Sequence, residues 1–252
     1  MSETIVFTSG KGGVGKTTTI ANIGAGLSQL DKKVVMLDTD MGLRNLDVVM
    51  GLENRVNYNL LDLLENKCRL QQALIRDKRF PNLYLIPASL KFVPMEQYKV
   101  QFQQLLSKLK QEFDYCLIDC PAGIDQGFYF AISVADRAVI LTTPQISSVK
   151  DAGRVLKILS GTNIQKLELI INEYDEKMVR KHYVLSKEDI KELFDMPVLG
   201  TIPHDYKVTI SQNNGLPVIS MRSKAAKSFL FLSQQITEDA KWERERCVYD
   251  VL

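Results

Sequence analysis

Ile5-Val6-Phe7-Thr8-Ser9-Gly10-Lys11-Gly12-Gly13-Val14-Gly15-Lys16-Thr17-Thr18 is the stretch that decides the fold. It opens on a short apolar run of strand type, continues through a segment that fits G-x-x-x-x-G-K-[ST], and enters an amphipathic helical pattern at Lys16. Glycines at 10, 12, 13 and 15 let consecutive backbone N–H groups turn inward around an anion without side-chain obstruction. The helix that follows adds the positive end of its dipole. Lys16 brings a point charge to the outer phosphates of a nucleotide, and the Thr17 hydroxyl is placed to coordinate Mg2+.

The same strand-then-helix rhythm repeats along the chain. Apolar runs at 5–9, 33–38, 83–87, 115–119, 138–142, 167–172 and 198–202 are separated by helical patterns at 16–29, 95–112, 147–159, 187–194 and 224–240. Most of the runs are apolar almost continuously, as expected of strands covered by helices on both faces. The prediction is a three-layer α/β fold, a mostly parallel central sheet flanked by helices, with right-handed crossovers. No repeat, low-complexity tract or Pro/Gly/Ser-rich linker divides residues 1–252, so one domain is expected. Asp31-Lys32-Lys33 and Asn213-Asn214-Gly215 read as a turn and a helix stop, and Pro94 suits the first turn of the long helix after it.

Composition narrows the function classes. Of 252 residues, 45% are hydrophobic and 25% charged, which is ordinary globular usage. The 32 basic and 30 acidic residues leave +2, so bulk charge names neither nucleic acid nor membrane as a partner. Met1-Ser2-Glu3-Thr4 runs straight into an apolar strand with no basic or hydrophobic leader, and no run is long enough to span a bilayer. A soluble chain with at most peripheral membrane contact is predicted. Cys68, Cys116, Cys120 and Cys247 make no CxxC pair and read as reduced thiols, with Cys116 and Cys120 on one face of a strand.

A Mg–nucleotide site in such a sheet draws its acids from the carboxyl ends of neighbouring strands. Asp119 ends the run Tyr115-Cys116-Leu117-Ile118 and fits a Walker-B-type acid that holds the metal directly or through water. Asp38 and Asp40 end Val34-Val35-Met36-Leu37; if the chain is still extended at Asp40, both carboxylates share a face, one for the Mg2+ shell and one for the attacking water. Lys11 is the unusual residue, since a plain phosphate loop needs no lysine after its first glycine. It either faces solvent or reaches phosphates, in its own site or in that of a facing subunit.

These residues resemble the deviant Walker A ATPases, the MinD/ParA group, whose loop pattern is K-G-G-x-G-K-[ST]. Beyond the loop, Asp38-Thr39-Asp40-Met41-Gly42-Leu43-Arg44-Asn45-Leu46-Asp47, Ala73-Leu74-Ile75-Arg76-Asp77, Leu83-Tyr84-Leu85-Ile86-Pro87-Ala88-Ser89, Asp119-Cys120-Pro121-Ala122-Gly123-Ile124 and Ser147-Ser148-Val149 match in kind and order. The GLRNLD run is similar to the MinD branch rather than to the partition ATPases. The resemblance covers most of the chain and implies an ATPase that turns ATP and water into ADP and phosphate with Mg2+. It implies that Lys11 reaches across an ATP-sandwich homodimer and that Gly10, Gly12, Gly13, Val14, Gly15, Lys16, Thr17 and Thr18 hold phosphates. Thr17, Asp38 and Asp119 would serve the metal, Asp40 the hydrolytic water, and Asn172 with Pro203 and Asp205 the adenine. Glu173 stands where relatives often carry Arg.

In that branch the ATP-bound dimer recruits a MinC-like division inhibitor, and a MinE-like activator stimulates hydrolysis. The resemblance therefore implies a cytoplasmic protein placed peripherally on the inner face of the cell membrane, or its plastid equivalent, with no specific nucleic-acid partner. Asn45, Glu53 and the segment 148–151 would face the activator. Relatives end in a basic amphipathic helix, whereas Thr237 to Leu252 here carries five acids and three bases, opposite to what an anionic bilayer attracts. Membrane affinity of the 238–252 tail is accordingly expected to be weak or to need dimer avidity. The alternative is a ParA-like DNA-partition ATPase, which requires a basic surface and salt-sensitive binding. An iron–sulfur carrier of the same superfamily would need a C-terminal CxxC that is absent.

Overall fold

A computed structural model describes the backbone of residues 2–249 and the side chains of residues 2–238. In chain order the elements are β1 (Glu3–Thr8), α1 (Lys16–Gln29), β2 (Val34–Asp38), α2 (Leu46–Val49), α3 (Leu60–Leu64), α4 (Leu70–Ala73), β3 (Ile75–Arg76) and β4 (Leu83–Ile86). There follow α5 (Lys99–Glu112), β5 (Tyr115–Asp119), α6 (Gln126–Ile132), β6 (Arg137–Thr142), α7 (Ile146–Leu159) and β7 (Lys166–Tyr174). The chain continues through α8 (Glu176–Arg180), α9 (Lys187–Phe194), β8 (Val198–Pro203), α10 (Tyr206–Asn213) and α11 (Lys224–Tyr249). One sheet in the order β3-β4-β2-β5-β1-β6-β7-β8 runs through them, parallel except for the β3–β4 pair.

The continuous apolar runs have a direct cause. Alternate residues of each strand point to opposite faces, and both faces are covered. Ile5 and Phe7, Met36, Leu117 and Val139 pack with Ile20, Ile23 and Leu27 of α1 and Phe229, Leu232 and Ile236 of α11. Val6, Leu37, Ile118 and Ile140 pack with Phe102 and Leu106 of α5, Phe128 and Phe130 of α6, and Val149 and Val155 of α7. Cys116 and Cys120 both lie buried on this second side, as their spacing predicts, and burial pushes both thiols up to about 12.

Register puts the chemistry together. Asp38 pairs with Asp119 across β2 and β5, and Phe7 of β1 pairs with the same Asp119, so both acids lie beside the loop that leaves β1. Pro94 is a correction to the expectation: the chain makes a 3-10 turn at Glu96–Tyr98 and the helix proper begins at Lys99, beyond the first-turn position that would suit a proline. The last helix continues past residue 240, to Tyr249. The side chains of 239–252, on which the tail expectation rests, and Cys247 among them, lie outside the described residues. No helix among the described residues is long and apolar enough to cross a membrane.

Candidate functional site

The loop between β1 and α1 is built for an anion. Gly13 and Gly15 have φ of 77° and 92°, the left-handed region that glycine adopts without strain. At Gly15 a side chain is excluded twice over, because a Cβ there would fall 2.3 Å from Nδ2 of Asn172. Gly15 precedes the first residue of α1 as its N-cap, and no side chain caps that end and no acid sits in the first turn. The first hydrogen bond of the helix runs from Thr19 N–H to Gly15 C=O. The N–H groups of Lys16, Thr17 and Thr18 therefore have no intrahelical partner and face the concavity as donors. Lys16 is almost buried, its Nζ donating 2.9 Å to Ser9 Oγ, while Ser9 Oγ donates 2.7 Å to the Lys11 carbonyl. Lys11, Gly12 and Gly13 are exposed, and Gly10 lies against the α7 backbone at Asp151.

Beside the loop sits a pair of carboxylates. Asp38 and Asp119 are 0% and 2% exposed at the ends of adjacent strands. Burial first, and then the Asp119 charge facing it, pushes Asp38 well above the ordinary carboxylate range, although three backbone N–H groups bond to it. Those donors are Asp40 N at 2.9 Å to Oδ1 and Asn45 and Leu46 N at 3.2 Å to Oδ2. Burial likewise raises Asp119, opposed by a hydrogen bond from Thr17 and by the Lys16 charge. One oxygen of Asp119, Oδ1, is buried with no hydrogen-bond partner. An orphaned carboxylate oxygen between a threonine hydroxyl and a second buried carboxylate is the donor set of a hard divalent cation, so Thr17, Asp38 and Asp119 fit Mg2+.

Asp40 does not continue the strand. Its N–H folds back onto Asp38 Oδ1, so the shared strand face expected for an extended chain is replaced by a turn that leaves Asp38 inside and Asp40 half-buried further out. Burial raises the Asp40 carboxyl, Lys16 opposes the rise, and Asp125 adds to it. Asp40 opens on a cleft of about 280 Å³ walled by Met41, Phe92, Val93, Pro94 and Pro121. The arrangement offers a carboxylate with room for water beside it, within the field of the loop lysine.

A family profile described as an AAA domain matches residues 2–173. The septum site-determining protein MinD of Synechocystis sp. is 48% identical over 219 residues, covering 87% of this chain and 82% of the relative. This chain belongs to the MinD family. The solved MinC:MinD cell division protein complex of Aquifex aeolicus superposes with a TM-score of 0.87 at 38% identity, over 94% of this chain and 96% of that one. MinD of Pyrococcus horikoshii, complexed with Mg-ADP, superposes with a TM-score of 0.84 at 29% identity, over 95% and 98% of the two chains. The MinD family is one of P-loop nucleotide-hydrolysing ATPases.

The positions that resemblance to MinD proteins assigns to the base are held by structural bonds. Asn172, near the end of β7, donates Nδ2 to the Val14 carbonyl at 2.9 Å and props the loop from behind. Pro203 closes β8 opposite Tyr174. Asp205 caps two helices at once, accepting from Lys207 N of α10 through Oδ1 and from Lys224 and Ala225 N of α11 through Oδ2. Burial alone would raise its carboxyl, but these N–H donors outweigh it and hold it below the usual range. Of the activator-facing candidates, Asn45, Glu53 and Lys150 are exposed, whereas Ser148 is buried and bonds Thr142 and the Thr143 N–H. Ser148 is thus an internal brace of the α7 start, corrected from a surface role. Sequence reasoning missed Ser9, which holds Lys16, and Gln212, whose Nε2 donates to Thr18 Oγ1 from α10. Ser9 adjoins the loop and is within reach of a local reading; Gln212 is 194 residues from its partner and carries no local signal.

Proposed function

We propose that this chain is an ATP-hydrolysing molecular switch that dimerises with ATP, associates peripherally with a membrane and positions the division site by recruiting a MinC-like inhibitor. Family membership supports the septum-site role, and the Mg-ADP and MinC complexes of relatives support the ligand and the partner. The observation that carries the switch is the contrast between the two loop lysines. Lys16 is nearly buried against its own loop, while Lys11 stands exposed on the rim with no ion-pair partner among the described residues. A cation above the phosphate cradle that its own chain does not use fits the phosphates of a facing copy.

The chemistry follows from the positions of the groups. The loop amides and Lys16 bind and neutralise the phosphate oxygens. Thr17, Asp38 and Asp119 would hold Mg2+, which when bound supplies charge neutralisation across the terminal phosphates. Asp40 accepts a hydrogen bond from water in the cleft beside it and aims that water at the terminal phosphorus. Dimer closure excludes bulk water and brings the second Lys11 to the transferring phosphoryl group, so turnover by a lone copy is slow. A MinE-like activator would then act on the closed pair.

Size-exclusion chromatography of Asp40→Ala tests the reading. With Mg2+ and ATP it elutes as a dimer, with ADP as a monomer, and adding Lys11→Ala returns the ATP form to the monomer position. A monomer under every nucleotide condition overturns the switch. Membrane contact is tested by sedimenting the full chain with vesicles containing phosphatidylglycerol. Binding appears with ATP and is weak with ADP, as two weak contacts on a dimer require; tight binding in ADP contradicts it. The DNA-partition alternative predicts instead salt-sensitive retention of duplex DNA by the same ATP-bound form.

A further inference from the structure

Arg79 makes a set of bonds that nothing in the phosphate site explains locally. Its Nε donates 3.0 Å to Oδ1 of Asp77 and one terminal nitrogen donates 2.5 Å to Oδ2, a forked pair on a carboxylate that is 1% exposed. The remaining donors leave that pair and go to two backbone carbonyls far apart in sequence. Nη2 reaches the Met50 carbonyl at 2.5 Å, immediately after α2, and Nη1 reaches the Gly215 carbonyl at 2.8 Å, just after α10. The two segments it joins are in tight backbone contact at this point, since a Cβ on Gly51 would lie 2.6 Å from the Gly215 oxygen.

Each of those segments also touches the candidate metal site, α2 through its opposite end and α10 through Gln212, three residues before Gly215. The N–H of Leu46, the first residue of α2, and that of Asn45 before it hold the Asp38 carboxylate. From α10, Gln212 holds the Thr18 hydroxyl, next to Thr17 in the first turn of α1. Asn22 adds to that brace, donating to the Thr18 carbonyl and accepting from Ile219 N. One guanidinium therefore ties the rear end of α2, whose front end fixes Asp38, to the C-terminal end of α10, whose Gln212 fixes the start of α1.

We propose that Arg79 is a positioning residue that locks α2 and α10 together behind the site and so sets how Asp38 and Thr17 are presented to Mg2+. The proposal rests on reading Asp38 and Thr17 as metal ligands. Geometry favours arginine in this position, because only a planar fork bonds one carboxylate and two carbonyls together, while lysine keeps the charge beside Asp77 and loses the fork. Outer supports of this kind set metal affinity even though they never touch the ion.

Arg79→Lys is the test, since it keeps a cation beside the buried Asp77 and so keeps the chain folded. Hydrogen–deuterium exchange on the nucleotide-free protein comes first. Amides of 41–50 and 206–215 exchange faster than in the parent while β1 and β5 are unchanged, because a local brace and not global stability has been lost. The second measurement is binding of a fluorescent ADP against Mg2+ concentration. The Mg2+ needed for half-effect rises roughly tenfold while metal-free ADP binding is unchanged. Gln212→Ala, which removes only the α10 link to Thr18, gives a smaller rise in the same direction. If exchange in the two segments is unaltered, or rises equally in the core strands, Arg79 is a fold-stabilising residue only and the proposal is overturned. A parent that binds ADP with no dependence on Mg2+ defeats the metal reading instead, and the exchange comparison still decides whether Arg79 is the joint.

Discussion

Lys16→Ala lowers ATP turnover by about 10²-fold or more, the scale seen when one preorganised charge donor aimed at a transition state is removed. Two losses combine at this residue. Its ammonium is held at the mouth of the glycine loop by Ser9, where the terminal phosphates gather charge during transfer. The same ammonium opposes the rise of the Asp119 and Asp40 carboxyls, so without it both acids keep their protons more readily. An Asp40 that is protonated accepts no hydrogen bond from water through that oxygen, and a protonated Asp119 is a poor metal ligand. Phosphate release under single-turnover conditions checks it, with nucleotide affinity measured alongside. A rate within tenfold of the parent would show that the loop amides alone carry the charge. Lys11→Ala separates from it cleanly: the Lys11 side chain is exposed and makes no hydrogen bond or ion pair among the described residues, and the carbonyl that accepts from Ser9 is kept, so ADP binding by the monomer persists while the ATP dimer is lost.

What is legible in the sequence is whatever is local or carried by a strand end. The run from Ile5 to Thr18 specifies its strand, loop and helix by neighbours alone, and the helix begins at Lys16 as the pattern requires. Asp38 and Asp119 are recoverable because parallel strands end at one edge, and the register brings them opposite each other. Short elements escape. β3 is two residues long, and α6, Gln126–Ile132, carries Gly127 and three aromatic side chains that read as strand formers. It is helical because Asp125 caps it and Phe128 and Phe130 find the core. α10 escapes because Val208 and Ile210 do not make an apolar stripe, and Ile210 is exposed. The bonds of Arg79 to Gly215 and of Asn172 to Val14 span 136 and 158 residues, and no local spacing announces them. Local chemistry thus names the groups at this site, and long-range backbone contacts fix their geometry.

The buried carboxylate pair makes the metal-free chain less stable as pH rises, and Asp119→Asn weakens that trend. Both Asp38 and Asp119 titrate above 3.8 in the folded chain, chiefly through burial and then, for Asp38, through the facing charge of Asp119. Above 3.8 the unfolded chain has released these protons while the folded chain still holds them, so the folded state binds more protons and its stability falls with each step in pH. The loss runs from the ordinary carboxylate range upward to the raised values and is complete beyond them. An amide at position 119 removes one of the two charges, keeps an oxygen for the Thr17 hydroxyl and adds a donor beside Asp38. Metal-free Asp119→Asn is therefore more stable than the parent at about pH 8, by on the order of 2 kcal/mol. For a chain of this size that is a rise of roughly 4–8 °C in Tm. At about pH 3 the two proteins converge, since the parent pair is then largely protonated in both states. Saturating Mg2+ and ADP inverts the order at high pH, because the ionised pair gains a cation and the variant has lost a ligand. Thermal scans of both proteins at the two pH values, with and without Mg-ADP, test all four corners. A variant equally destabilised at every pH and indifferent to Mg2+ would mean that Asp119 serves packing, and Thr17 and Asp38 would then have no metal to hold.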